Sequence, residues 1–254
     1  MLKILSWNIE GLKCKLQNKH TQNTIKGLHV LVFQETWTTE SECPNDMLLT
    51  CGYSGLSRIW KKSYKMGHPP GGVSVFIHDS VRHGIKDVSD VCFSKFIITI
   101  LCDKTCFGMS HDILMFCCYL PPSGSTSYES EQNGIEVLYD CIINVTARYP
   151  DTHVMIVGDL NARTGDESDF IHDDNAAYIP GGNLYSPSDF DIPRFSSDKE
   201  VNVFGENLLE ICKSLDIHIV NGRSQSDPVG QFTFISSRGA SLIDYFIVSS
   251  QLFV

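Results

Sequence analysis

The chain has 254 residues, 42% of them hydrophobic and 20% charged, and a formal net charge of −10. That is enough chain to bury one large α/β domain or two small ones, with the composition of a globular protein and not a disordered one. No stretch approaches the ~20 consecutive apolar residues of a membrane helix, and the acid excess argues mildly against a nucleic-acid partner, which usually meets a basic face.

The opening MLKILSWNIEG turns polar too early for an export signal. An intracellular location is expected, the nucleus among the compartments open to it. The ten cysteines show no zinc-finger spacing, and Cys102 and Cys106 lack a second pair to complete a metal site. Reduced thiols are expected, with Cys117 and Cys118 acting as small buried hydrophobes.

In chain order, runs rich in Val, Ile and Phe predict strands at Leu2–Trp7, Val30–Gln34, Gly72–Ile77, Phe96–Cys102 and Ile113–Tyr119. A helix follows, with Ile135, Leu138, Ile142 and Val145 on one face and Pro150 ending the segment. Next comes a strand at His153–Gly158. The stretch from Thr164 to Lys199 lacks periodicity and is rich in Asp, Ser, Pro and Gly. So long a loop in a compact domain is usually functional or mobile. A second helix is marked by Phe204, Leu208, Ile211, Cys212 and Leu215. Strands at Ile217–Val220, Gln231–Ile235 and Leu242–Val248 complete the set. The last two, around SSRGAS, read as a hairpin whose tip presents Arg238 to nucleic acid or to solvent. No linker or repeat divides the chain, so one domain over residues 1–254 is expected, with two packed sheets.

Four apolar runs end on polar residues: ILSW on Asn8, VLVFQ on Glu35, LMFCC on Tyr119, and VMIVG on Asp159 with Asn161 two further on. SLIDYFIV carries Asp244 near its start, and an antiparallel course would bring it to the same side. Sheets present functional groups at strand ends, yet Asn and Asp are also ordinary turn residues. Two acids and two amides are hard oxygen donors of the kind Mg²⁺ takes. Pattern alone leaves a metal site and a set of plain turns evenly balanced.

The motifs SWNIEG (Ser6–Gly11), QETW (Gln34–Trp37), CCYLPPSGS (Cys117–Ser125), GDLNARTGD (Gly158–Asp166) and SLIDYFIVS (Ser241–Ser249) follow one another in this order. Together they resemble the endonuclease/exonuclease/phosphatase superfamily, which includes DNase I and the apurinic/apyrimidinic endonucleases. The segment NGRSQSDPVGQFTFISSRGASLIDYFIVS is similar to the endonuclease domains of non-LTR retrotransposons. The resemblance implies a DNase I-like, four-layer α/β sandwich of two mixed β-sheets flanked by helices. It also implies Mg²⁺ or Mn²⁺ as cofactor and DNA as substrate, hydrolysed by an activated water.

Carried over by position, Glu35 resembles the metal-binding glutamate, with Asn8 beside it. Asp159 matches the residue that orients and deprotonates the water, and Asn161 the one that holds the phosphate, both near the metal. Tyr119 matches a phosphate-contacting hydroxyl, and Asp244 the acid of the penultimate strand. Glu10 falls where some members place another acid. Phosphodiester hydrolysis builds charge that a cation and oriented donors stabilise while a carboxylate takes the water's proton. The family pattern closes with a further Ser-Asp-His strand, which this sequence does not contain. A C-terminally truncated domain is therefore expected, with its activity as written open. Ser110-His111-Asp112 has the right residue types in another order, and reads as a polar turn. A phosphatase acting on small phosphoesters and a non-catalytic remnant are the alternatives.

Overall fold

The computed structural model describes residues 2–60, 71–125, 133–171 and 192–253. The chain divides into two units, Met1–Asn161 and Ala162–Val254.

In the first unit, β1 (Ile4–Asn8) runs through α1 (Leu12–Leu16) and α2 (Lys19–Ile25) to β2 (Val30–Gln34), its parallel neighbour. Next, β3 (Tyr53–Arg58) and β4 (Val73–His78) pair antiparallel, giving a mixed sheet in the order β1-β2-β4-β3. A second mixed sheet follows from β5 (Ile85–Asp87), β6 (Ile97–Cys102), β7 (Ile113–Tyr119) and β8 (His153–Asp159). Its β5–β6 and β6–β7 pairs are antiparallel, and β7–β8 is parallel. The short α3 (Lys104–Phe107) links β6 to β7, and the long α4 (Gly134–Arg148) crosses from β7 to β8.

The layers follow from which side chains are apolar on which face. Leu31 and Phe33 alternate along β2 and join Ile9, Leu12, Ile25, Tyr53 and Phe76 in a buried cluster beneath α1 and α2. Tyr53 caps that layer by donating its hydroxyl to the carbonyls of Ile25 and Leu28. The opposite faces of the two sheets pack together, β1 and β2 against β8, β3 and β4 against β6. Helix α4 covers the outer face of the second sheet. Its buried stripe of Ile135, Leu138, Cys141, Ile142 and Val145 includes the predicted face, and Cys141 Sγ lies 4.0 Å from Thr99 Oγ1 on β6. Its start is a capping box made by Asn133 and Glu136. The order helix, sheet, sheet, helix is the expected sandwich.

In the second unit, α5 (Val203–Leu215) leads into β9 (Ile217–Ile219), which pairs antiparallel with β12 (Asp244–Ser249). Between them β10 (Phe234–Ser236) and β11 (Gly239–Ser241) form a small ribbon. The expected hairpin is displaced: Phe234–Ser236 pairs with Gly239–Ser241, inside the predicted loop, across a Ser237–Arg238 turn, and the arm expected at Leu242–Val248 instead leads into β12, paired with β9. Two buried carboxylates organise this unit. Asp198 takes a forked pair of bonds from Arg163 (2.8 and 2.6 Å) and another from the Leu242 amide. Burial opposes its ionisation, but these donors outweigh burial and hold its pKa below the usual carboxylate value. Asp169 pairs with Arg223 at 2.6 Å, both side chains wholly buried. Of the loop expected from Thr164 to Lys199, residues 172–191 lie outside the described residues.

Among the described residues no helix is long and apolar enough to cross a membrane.

Candidate active site

Two βαβ crossovers place the site. Parallel strands carry their C-terminal ends to the same edge, and the register is in step: Asn8 lies opposite Gln34, and Tyr119 opposite Asp159. The backbone then bends sharply. Glu35 and Asn161 both adopt left-handed conformations, φ 49° each, as do Glu10 (φ 47°) and Trp37 (φ 51°) in the adjoining turns. Each such residue costs on the order of 1–3 kcal/mol, and strain of this kind concentrates at functional sites. The turns are braced by Gly11 N donating to Glu35 O and Leu12 N donating to Thr36 O.

Gly158 admits Asp159. Its φ is 139°, and a β-carbon there would stand 2.0 Å from the Cys118 carbonyl oxygen, so only glycine lets β8 approach β7 at this point.

The side chains meet at Asn8. Its amide nitrogen donates to Glu35 Oε1 at 3.3 Å and to Asp159 Oδ2 at 3.0 Å. The Tyr119 hydroxyl donates to the same Glu35 Oε1 at 2.9 Å. Asp159, buried, accepts the Asn161 amide N–H on Oδ1 at 3.0 Å, so both carboxylate oxygens are fixed. Asn161 also donates its side-chain nitrogen to Leu120 O at 2.8 Å. Asn8, Glu35, Tyr119, Asp159 and Asn161 thus form one hydrogen-bonded set.

The remaining candidates are placed apart from this set or in the second unit. Glu10 is exposed. Ser110-His111-Asp112 is a surface turn in which Asp112 accepts the Lys104 amide, as expected of a polar turn. Asp244 opens β12, half-buried, and its amide donates to Thr233 Oγ1. Arg238 is exposed at the ribbon turn.

Trp60 was not anticipated. Its indole stacks on Tyr119, ring centroids 5.2 Å apart and planes 28° from parallel, and its Nε1 donates to Lys95 O at 3.0 Å. A lone Trp in SRIW carries no sequence signal for this.

The donor set suits a small divalent cation. Two carboxylates and an amide converge, all hard oxygen ligands. The Asn8 carbonyl oxygen is buried without a hydrogen-bond partner, a costly state for a polar atom unless something else is to meet it. Turning the amide over would aim that oxygen at two carboxylates, which is favourable only around a cation. Among the described residues no group of three or more His, Cys, Asp or Glu side chains gathers, here or elsewhere, so a cation at this site would also draw on amide oxygens.

The profile of the endonuclease/exonuclease/phosphatase family matches residues 5–254. The chain belongs to this family. Solved structures similar to it include AP endonuclease LMAP from Leishmania major (18% identity, TM-score 0.65, covering 99% of this chain and 80% of that one). Another is the 3′ phosphatase NExo from Neisseria bound to a product DNA hairpin (13% identity, TM-score 0.61, 98% and 87% covered). A third is the endonuclease domain of TRAS1, a telomere-specific non-LTR retrotransposon (13% identity, TM-score 0.56, 100% and 87% covered). At such identities the likeness is one of fold. No curated protein matches the chain.

Proposed function

We propose that the chain is a divalent-metal-dependent phosphodiesterase that cleaves DNA internally, in the manner its retrotransposon-like motifs imply. The observation that carries this reading is the Asn8 bridge between Glu35 and Asp159, three residues from three strand ends drawn into one set of oxygen donors.

Mg²⁺ or Mn²⁺ would be held by Glu35, Asn8 and Asp159 with Asn161 beside them, supplying positive charge to the phosphate oxygens as the bond breaks. Asp159 acts as general base. Its buried carboxylate, held through both oxygens, is positioned to accept a proton from the attacking water. Asn161 positions the phosphate through its side-chain amide. Tyr119 has a single hydroxyl proton, given to Glu35 in the structure, and turns it to a phosphate oxygen when substrate is present. By the resemblance alone Asp244 is given a supporting role, and Arg238 meets the DNA backbone. The DNA substrate is supported by the product DNA hairpin bound to NExo and by the AP and retrotransposon endonucleases of similar fold. The net charge of −10 keeps a small-phosphoester phosphatase as the second reading.

Supercoiled plasmid and a panel of small phosphoesters, each with Mg²⁺, separate the two. The expected result is plasmid nicking that falls by about 10²–10⁴-fold in Asp159→Asn, the usual worth of a general base. Phosphate release from the small esters without nicking would replace the nuclease reading by the phosphatase one.

A further inference from the structure

The segment between β5 and β6 carries a feature that the proposed reaction does not use. It turns at Val91, whose N–H reaches Val88 O at 3.2 Å, and brings Cys92 against the side of α4. There Cys141 directs its thiol to the Cys92 carbonyl oxygen at 3.7 Å, and the nearness of Cys92 is one of the causes that raise the Cys141 pKa. The two residues are 49 positions apart in sequence, so the fold itself has brought the Cys141 sulfur against the Cys92 backbone.

Their surroundings differ in a useful way. Cys92 is partly exposed and Cys141 is fully buried. Burial, with Cys92 adding to it, pushes the Cys141 thiol up to about 12, so at neutral pH Cys141 is protonated and shielded. Solvent reaches the pair through Cys92. Cys117 and Cys118 lie next to each other along β7, so their side chains leave on opposite faces of the strand, and the partly exposed Cys106 is engaged by His83, its Sγ 3.2 Å from Nε2. Cys14, Cys43 and Cys51 are exposed.

We propose that Cys92 and Cys141 are a reversible dithiol–disulfide pair, with a peroxide as oxidant. The Cys92 sulfur attacks one peroxide oxygen and gives up two electrons, forming a sulfenic acid as the O–O bond breaks and one water leaves. The Cys141 sulfur then bonds to the Cys92 sulfur and displaces the hydroxyl, which departs as a second water with the Cys141 proton. Two thiols and one hydrogen peroxide thus give one disulfide and two waters. A thiol reductant reverses the step.

The bridge has a structural consequence. Three residues beyond Cys92, Lys95 O accepts the Trp60 indole N–H at 3.0 Å, and Trp60 stacks on Tyr119. Pinning Cys92 to α4 therefore stiffens the segment that holds Trp60 in place. Only the bearing of this on catalysis rests on the role proposed for Tyr119; the pairing of the sulfurs does not.

The test treats the full chain with one equivalent of hydrogen peroxide, alkylates it under denaturing conditions, and maps its peptides by mass spectrometry. The expected product is a Cys92–Cys141 cross-linked peptide, lighter by two hydrogens than its reduced halves and lost on adding dithiothreitol. In Cys92→Ser, Cys141 should stay fully alkylated. A thermal scan should show the oxidised wild type melting several degrees above the reduced protein, because a cross-link over so long a loop constrains the unfolded chain, and no such gain in Cys92→Ser. Cys92 oxidised to a sulfinic acid with Cys141 still alkylatable, or Cys141 oxidised equally in Cys92→Ser, would overturn the pair. Equal melting of the oxidised and reduced wild type would overturn the stiffening. None of these readouts depends on DNA cleavage, so they stand or fall apart from the nuclease reading.

Discussion

Asn8 lets two carboxylates sit side by side. A Glu and an Asp sharing one site repel each other, and the Asn8 amide hydrogens, shared between them at 3.3 and 3.0 Å, relieve that repulsion. Tyr119 contributes a further donor to Glu35. A hydrogen bond to a charged group is worth about 1.5–3 kcal/mol, and each ~1.4 kcal/mol is tenfold in rate. Tyr119→Phe should therefore lower the nicking rate by roughly 10–100-fold, with little change in Tm because the ring keeps its stack on Trp60. Single-turnover nicking and a thermal scan check this; an unchanged rate would leave Tyr119 a packing residue. At this scale the sequence marked residues that the structure joins in one hydrogen-bonded set, but not their conformation. Nothing in QETW shows that Glu35 must take a left-handed backbone, since that strain is imposed by the neighbouring strands and not by local preference.

The elements that were legible are those whose apolar run is long and continuous. VLVFQ is buried along its whole length, and β2 has the predicted limits, Val30–Gln34. Strand β3 was missed because YSGLSR mixes Gly and Ser with apolar residues and lies at the edge of its sheet, paired only with β4. Helices α1 and α2 were missed because helices of 5 and 7 residues are too short to show a period, and they rest on packing over the Leu31–Phe33 face. The ribbon β10–β11 takes its second arm, Gly239–Ser241, from the stretch read as loop, because the expected second arm passes on into β12 and pairs with β9. It exposes Phe234 and Ile235 on β10 and Arg238 on its two-residue turn. If Arg238 neutralises one phosphate, Arg238→Ala should reduce the slope of log affinity against log salt by about one unit for any DNA sequence. Fluorescence anisotropy with a labelled duplex across a salt series reads it, and a parallel pair of lines would reduce the turn to a structural role.

On the scale of the whole molecule, stability at low pH should be set in the second unit. Asp169 is buried with its charge met by Arg223 and by the Ile219 amide. Burial opposes its ionisation, but these partners prevail and its pKa lies below the usual carboxylate value. A depressed folded pKa means the contribution is complete above the unfolded value of ~4 and is lost as pH falls through the folded one. The unfolding midpoint should thus drop steeply below about pH 4. Asp169→Asn should cost about 3–5 kcal/mol at neutral pH, because it removes the carboxylate that faces the buried Arg223 charge, and should flatten the acid limb. Urea titrations from pH 3 to 7 decide it: a variant as stable as wild type at neutral pH would remove Asp169 from the account.

The central claim is that Asn8, Glu35 and Asp159 form one cation-binding catalytic site, and the most direct measurement is calorimetric titration of the protein with Mn²⁺. The wild type should bind one ion, and Glu35→Gln, which keeps the shape of the side chain but removes its charge, should bind at least ~10-fold more weakly with its fold intact by circular dichroism. Equal affinity in the two proteins would contradict the site.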